Sequence, residues 1–157
     1  MAAMIRIQEA DFDIGAELSA LTAARADIGA VVTFTGQVRG QADGGPLTEL
    51  RIEHYPGMTE RELERVEQEA KERFGLQASL IVHRHGALKP GDNIVLVIAA
   101  SRHRDAAFDA ARFMMDSLKS RAPFWKCEKG PGGDRWVEAK ADDDIARTRW
   151  HKKDAAE

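Results

Sequence analysis

Residues 78–100, ASLIVHRHGALKPGDNIVLVIAA, decide the fold class of this chain. The stretch begins and ends with apolar runs, at 78–83 and 94–100, that have the length and β-branched content of buried strands. Between them lies Lys89-Pro90-Gly91-Asp92, which predicts a turn and leaves no room for a helix. Strands connected in this way run antiparallel, because a parallel connection takes about a dozen residues or more.

Further strands are predicted on both sides of this pair. They lie at 4–8, 30–38 and 47–55, and a hairpin joins 124–128 to 135–138 around a glycine-rich turn at 130–134. Residues 39–46 contain three glycines and a proline, which predicts a loop without regular structure. Strands and helices do not alternate strictly, so we expect an α+β fold with a mixed or antiparallel sheet.

Helix caps and apolar periodicity predict three helices. Asp11 or Asp13 caps the first, which runs to about residue 25. Thr59 and Glu62 have the spacing of a capping box at the start of the second. The third runs from about residue 102 to about residue 120. Its predicted core-facing stripe is Phe108, Ala111, Met115 and Leu118.

Composition excludes several classes of protein. Hydrophobic residues make up 43% of the 157 residues and charged residues 31%, as in ordinary globular domains. The net charge of -3 argues against a nucleic-acid-binding protein, and the single cysteine excludes a disulfide framework. No apolar run has the length of a membrane span or a signal peptide, so we expect a cytoplasmic protein. One domain is expected over residues 1–150, followed by a polar tail at 151–157.

Cationic side chains lie where predicted elements begin or end. Arg39 lies where a strand opens into the glycine-rich loop, and His103 and Arg104 fall in the first turn of the third helix. Cations at a helix N-terminus work against the helix dipole. These cations therefore either lower the stability of the helix slightly at the surface or hold an anionic ligand there.

Lys119 and Lys126 lie on opposite sides of Pro123, which prevents one continuous helix. We expect them to converge from two elements, a helix end and the strand that follows it. The simpler alternative for Lys119 is a lysine in the last turn, where the dipole favours a cation. For Lys126 the alternative is an outward-facing strand residue.

Other candidates have weaker support. His83 and His85 would share a strand face, but a pair without further ligands at suitable spacing is not a zinc site, and no metal is predicted. Cys127 lacks an activating pattern beyond the adjacent lysine, which favours a half-buried structural thiol.

Several motifs together resemble a known family. They are FTGQVR (34–39), EHYPGM (53–58), HRHG (83–86), PGD (90–92), SRHR (101–104), KSRAPFWK (119–126) and GDRWVE (133–138). In this order and spacing they resemble the MoaE family, the large, catalytic subunits of molybdopterin synthase. EHYPGM and KSRAPFWK carry most of the specificity.

The resemblance implies an α/β hammerhead fold with an additional antiparallel sheet. It also implies a homodimer that binds one small ubiquitin-like subunit at each end, giving a heterotetramer. That small subunit ends in Gly-Gly and carries sulfur there as a thiocarboxylate. The substrate implied is cyclic pyranopterin monophosphate, which receives two sulfurs to form a dithiolene. No permanently bound cofactor is implied, because the small subunit supplies the sulfur.

Site residues follow from the resemblance by position. Lys119 and Lys126 match the catalytic lysines of the family. The implied substrate-binding residues are Gln37, Val38, Arg39, His103, Arg104, Lys119, Lys126, Cys127 and Glu128. In the family, His103 and Arg104 come from the neighbouring subunit. The chain departs from the family at Lys140, where some relatives have arginine, and in the composition of the loop at 40–46.

Two other functions remain open from the residues alone. A non-catalytic module could bind a ubiquitin-like tail or a phosphorylated metabolite without chemistry, although the presence of both lysines argues against it. A nucleic-acid-binding domain could use the basic clusters, but the chain lacks an aromatic and basic stripe.

Overall fold

The computed structural model describes residues 4–137, 145, 146 and 148–150. The helices are α1 (Ile14–Thr22), α2 (Met58–Phe74) and α3 (Arg104–Ser120). The strands are β1 (Ile5–Gln8), β2 (Ala30–Gln37), β3 (Gln41–Ala42), β4 (Gly45–Pro46), β5 (Glu49–His54), β6 (Ala78–Arg84), β7 (Gly86–Leu88), β8 (Asn93–Ser101), β9 (Phe124–Gly130) and β10 (Gly133–Trp136).

The larger sheet has the strand order β1-β6-β8-β2, with β1 parallel to β6 and the other pairs antiparallel. Its central strands are buried on both faces. Successive side chains of a strand point to opposite sides of the sheet, so alternate residues enter two different cores. On β8, Val95, Val97 and Ala99 pack in the core formed with α2 and α3. Leu96, Ile98 and Ala100 pack on the other face with residues of α1. The sheet is therefore the middle of three layers.

The second sheet is antiparallel throughout, with the order β10-β9-β5-β7. A small core of Val38, Leu50, Ile52 and Leu88 holds it against the rest of the molecule. The predicted 124–138 hairpin is confirmed as β9 and β10 up to Trp136, and Glu138 lies outside the described residues. The expected α+β fold with an additional antiparallel sheet is thus confirmed.

Two predictions about strands were wrong. Residues 39–46 are not devoid of regular structure, because β3 and β4 form a short hairpin in which Gly45 has a φ of +114°. Gly130 of β9 packs closely on this hairpin, and a Cβ there would lie 2.3 Å from the Pro46 carbonyl oxygen. The 84–93 connection likewise contains β7, which pairs with β5. The β3–β4 hairpin pairs neighbouring residues, whereas β7 forms by pairing with β5, which is distant in sequence.

The predicted capping box of α2 was also wrong by two positions. Gly57, with a φ of +88°, is the N-cap, and the Glu60 carboxylate accepts a hydrogen bond from its backbone N–H. The Thr59 hydroxyl instead accepts a hydrogen bond from the Tyr55 N–H and donates one to the Pro123 carbonyl oxygen. Thr59 therefore connects α2 to the chain reversal after α3.

Helix α1 begins as predicted, with the Asp13 carboxylate accepting a hydrogen bond from the Ala16 N–H at 2.9 Å, but it ends at Thr22. In α3 the predicted stripe was partly wrong, because Phe108 is 61% exposed. The helix instead buries Ala107, Ala110, Phe113 and Met114 in addition to Ala111 and Leu118. Small alanines permit close approach of the helix to the sheet, and this turns Phe108 outward.

The C-terminal part of the described chain is anchored on α3. Trp150 is buried, and its indole N–H donates to the Asp116 carboxylate at 2.7 Å. Its ring packs edge-to-face with Phe113 and Phe74 at centroid distances of 5.4 and 5.8 Å. The predicted polar tail at 151–157 lies outside the described residues. Among those described, no helix is long and apolar enough to cross a membrane.

Candidate active site

Lys119 and Lys126 line the same two adjoining cavities, as their predicted convergence requires. Lys119 lies in the last turn of α3, and Lys126 lies on β9 after the reversal at Pro123. Arg121 fixes this reversal, because its guanidinium pairs with Glu62 and Glu69 of α2 at 3.3 and 3.0 Å. These carboxylates also raise the pKa of Arg121.

The larger cavity has a volume of about 390 Å³. Its wall is mostly apolar apart from the two lysines, Gln37 and His83. The lining residues are Phe34, Gly36, Gln37, His83, Ile94, Val95, Met115, Leu118, Lys119, Ala122, Phe124, Lys126 and Val137. Such a wall suits a flat organic ligand held by a few polar groups.

The smaller cavity, of about 210 Å³, is strongly charged. Four cationic side chains line it, from Arg39, Lys119, Lys126 and Arg135, against the two carboxylates of Asp43 and Glu128. Arg135 lies opposite Glu128 on the neighbouring strand and donates to its carboxylate at 3.0 Å. The surplus of positive charge suits an anionic group, which the two lysines would share with the larger cavity.

The other predicted residues of the 37–39 segment also reach the cavities. Gln37 lines both of them, and its amide nitrogen donates to the Asn93 side chain at 3.0 Å. Val38 is buried and lines the smaller cavity beside Arg39.

Cys127 lies differently from its neighbours on β9. Lys126 and Glu128 flank it in sequence, and both line the smaller cavity, whereas the Cys127 side chain is buried and lines neither cavity. The half-buried thiol predicted from the sequence is in fact fully buried.

His103 and Arg104 lie far from the lysines within one chain. His103 is the N-cap of α3 and Arg104 its first residue, and both are exposed. Sixteen residues separate His103 from Lys119, which corresponds to about 24 Å along a helix. The cavities of a single chain therefore do not contain these two side chains.

Comparison with known proteins identifies the family. The family model described as MoaE protein matches residues 7–121. This chain belongs to the MoaE family. The molybdopterin synthase catalytic subunit of Rhizobium meliloti (strain 1021) is 59% identical to it over 152 residues, which cover 95% of this chain and 96% of that protein. The relatives of this MoaE chain are thus catalytic subunits of molybdopterin synthase, which belongs to molybdenum cofactor biosynthesis.

Solved structures share the fold of this MoaE chain. The molybdopterin biosynthesis MoaE protein from Burkholderia ambifaria MC40-6 is 47% identical with a TM-score of 0.81, covering 95% of this chain and 98% of that one. A complex of subunits 1 and 2 of molybdopterin-converting factor from Helicobacter pylori 26695 contains a chain that is 23% identical, with a TM-score of 0.71. The match covers 88% of this chain and 92% of that one. The second likeness concerns the fold alone.

Sequence reasoning missed several cavity residues of this MoaE chain. Phe34, Phe124 and Arg135 lay within motifs that were recognised, yet none was predicted to line the site. Alternation on β9 was the available signal, because Phe124 lies two residues before Lys126 and therefore on the same face. His83 and His85 were weighed as a metal pair, and in the part of the chain that the structure describes no group of residues could hold a metal ion.

His83 is buried beside the two lysines and stays neutral. Burial, together with the nearby charges of Lys126 and Lys119, lowers its pKa from 6.5 to about 3, although a hydrogen bond with the Arg84 carbonyl oxygen acts in the opposite direction. A neutral ring keeps an extra positive charge out of the larger cavity.

The stability of the fold should depend on pH through His83. As pH falls from 6.5 towards 3, the unfolded chain binds a proton at His83 and the folded chain does not. The free energy of unfolding should therefore fall by up to about 1.4 kcal/mol per pH unit over that range. Urea unfolding at pH 7 and pH 5 measures this loss, and in a His83→Phe variant the loss should be smaller by about 2 kcal/mol. An identical loss in both proteins would contradict the assignment.

Proposed function

We propose that this chain transfers sulfur to cyclic pyranopterin monophosphate and so forms the dithiolene of molybdopterin. The sulfur donor is the C-terminal thiocarboxylate of a small ubiquitin-like subunit that ends in Gly-Gly, so the enzyme is a sulfurtransferase without a permanently bound cofactor. The observation that carries the proposal is the position of Lys119 and Lys126, which line both an apolar cavity and a cationic one.

The charge of the smaller cavity supports a reaction between two anions. A phosphate ester and a thiocarboxylate repel each other when water is excluded, by several kcal/mol at short distance. Arg39 and the two lysines supply positive charge at the junction of the cavities. The planar guanidinium of Arg39 suits a phosphate, to which it can donate two hydrogen bonds.

The two lysines have different roles in the proposed reaction. Lys119 stabilises the oxyanion that develops on the thiocarboxylate carbonyl as its sulfur is transferred. Lys126, on β9, assists proton transfer at the substrate side chain. Gln37, Val38, Glu128 and the backbone at Cys127 complete the binding surface.

A homodimer would bring His103 and Arg104 to this site. Strand β2 is an edge of its sheet and contacts α3. Phe34 on β2 and Phe108 on α3 expose 41% and 61% of their surface. Exposed apolar side chains along a strand edge favour pairing with another chain. Gly29 contacts the Arg102 carbonyl, so β2 starts at the N-terminal end of α3 and finishes at the cavities.

The direction of β2 and α3 determines which residues of a partner chain would lie near the cavities. A two-fold axis through the middle of the β2–α3 face reverses the ends of the partner's α3. The partner's α3 N-terminus, with its own copies of residues 103 and 104, would then lie near the cavities of the first chain. Two small subunits bound to this dimer give a heterotetramer.

Reconstitution tests the function directly. The purified chain, mixed with the thiocarboxylated small subunit and cyclic pyranopterin monophosphate, should form dithiolene product, detected after oxidation as a fluorescent pterin derivative. A partner that ends in an ordinary carboxylate is the control and should give none. Binding of both reactants without product would instead favour the non-catalytic module.

A further inference from the structure

His83 is an unusual residue for the wall in which it lies. It ends a run of buried residues on β6, is only 5% exposed, and lines the larger cavity with both lysines. Its ring stacks on Phe124 with a centroid distance of 3.9 Å and an interplanar angle of 17°. The position therefore provides a flat aromatic surface next to Lys126.

The backbone fixes which nitrogen of His83 carries the proton. Nδ1 lies 2.8 Å from the Arg84 carbonyl oxygen, which can only accept a hydrogen bond, so Nδ1 carries the hydrogen. The charged and titratable groups that face the ring are Lys126 on β9, Lys119 on α3 and His54 on β5, and each disfavours a second proton. Nε2 is therefore an acceptor.

Packing alone does not account for this acceptor. In the described part of the chain, the side-chain hydrogen bond of His83 is made by Nδ1, so Nε2 remains available to a donor that enters the larger cavity. A phenylalanine would stack on Phe124 equally well and would leave no polar atom without a partner. Among the described residues, Ser79 Oγ is the only buried side-chain polar atom without a partner, so Nε2 of His83 opens to the cavity it lines, where a donor on a ligand can reach it.

We propose that Nε2 of His83 accepts a hydrogen bond from an N–H group of the pterin ring bound in the larger cavity. This inference rests on the proposed function. A reduced pterin is flat and carries ring N–H groups and an exocyclic amine, which fits a cavity with an aromatic wall and an acceptor set in that wall. The Gly-Gly tail also carries N–H groups, but it is anionic at its end and suits the smaller, cationic cavity better.

Two substitutions of His83 separate the acceptor from the packing. His83→Phe keeps an aromatic ring against Phe124 and removes Nε2, whereas His83→Gln retains an acceptor near that position and loses the ring. The matched control is His85→Phe, because His85 is two residues away, packs on His54 and lines neither cavity. Each protein is tested as the complex with the thiocarboxylated small subunit.

Pterin affinity is the decisive measurement. The Phe variant should bind pterin about tenfold more weakly in a direct fluorescence titration, with KM raised in proportion, a smaller change in kcat and unchanged affinity for the small subunit. The Gln variant should recover part of the affinity, and the His85 control should match the wild type. Thermal unfolding should show that the Phe variant is folded.

Three results would overturn the inference. They are wild-type pterin affinity in a folded Phe variant, a loss of affinity for the small subunit instead of for pterin, and a Gln variant weaker than the Phe variant. Should the Phe variant not fold, a pterin methylated on its ring nitrogens replaces it, and equal affinity of the wild type for both pterins then overturns the inference. A wild-type complex that binds pterin through His83 but forms no dithiolene would refute the proposed function and leave this contact standing.

Discussion

Replacement of Lys119 by alanine is expected to reduce dithiolene formation by at least about a hundredfold, with little change in assembly. Loss of a group that stabilises a developing oxyanion commonly costs about 10²- to 10³-fold in kcat. Lys119 is exposed in the free chain and lines both cavities, so its removal leaves the core unchanged. The measurement is single-turnover product formation with saturating thiocarboxylated small subunit.

The control for Lys119 is a lysine that is not part of the cavities. Lys129→Ala removes a lysine from β9 that pairs with Glu49 at 3.6 Å and lines neither cavity, and it should retain nearly full activity. Gel filtration and titration with the small subunit should show normal dimers and normal binding for both variants. Near-normal turnover by Lys119→Ala would refute its catalytic assignment.

Two inactive variants should restore activity when they are mixed. An Arg104→Ala chain keeps its lysines, and a Lys119→Ala chain keeps its Arg104, so a mixed dimer contains one complete site if the site spans both chains. Random exchange makes about half of the dimers mixed, and one of the two sites in each is complete. Recovery should therefore approach about a quarter of wild-type activity.

Chain exchange has to be verified for this test to be informative. The two variants carry different affinity tags, and tandem purification isolates the mixed dimers, which should reach about half of wild-type activity. Mixed dimers without any recovered activity would contradict a site built across the interface. Recovery would equally contradict a site complete within one chain.

Local patterns in the sequence predicted most of the framework. The apolar runs at 78–83 and 94–100 became the two central strands β6 and β8, since only residues buried on both faces form such runs. Asp13 capped α1 as predicted because a cap depends on its own turn. Two of the errors lie where a distant contact overrides a local pattern. Thr59 is bound to Pro123 instead of capping α2, and Phe108 is exposed because alanines face the sheet.

The sequence by itself determined the fold class, the three helices, the longer strands and the family, because periodicity, caps and motifs are properties of neighbouring residues. It also placed Lys119 and Lys126 on two elements separated by Pro123, and the structure joins them at two adjoining cavities. Only the tertiary structure decided that His83 and Arg135 share that site and that Cys127 faces away from it. The physical reason is that these relations depend on packing between segments distant in sequence, and no local pattern encodes the distance between them.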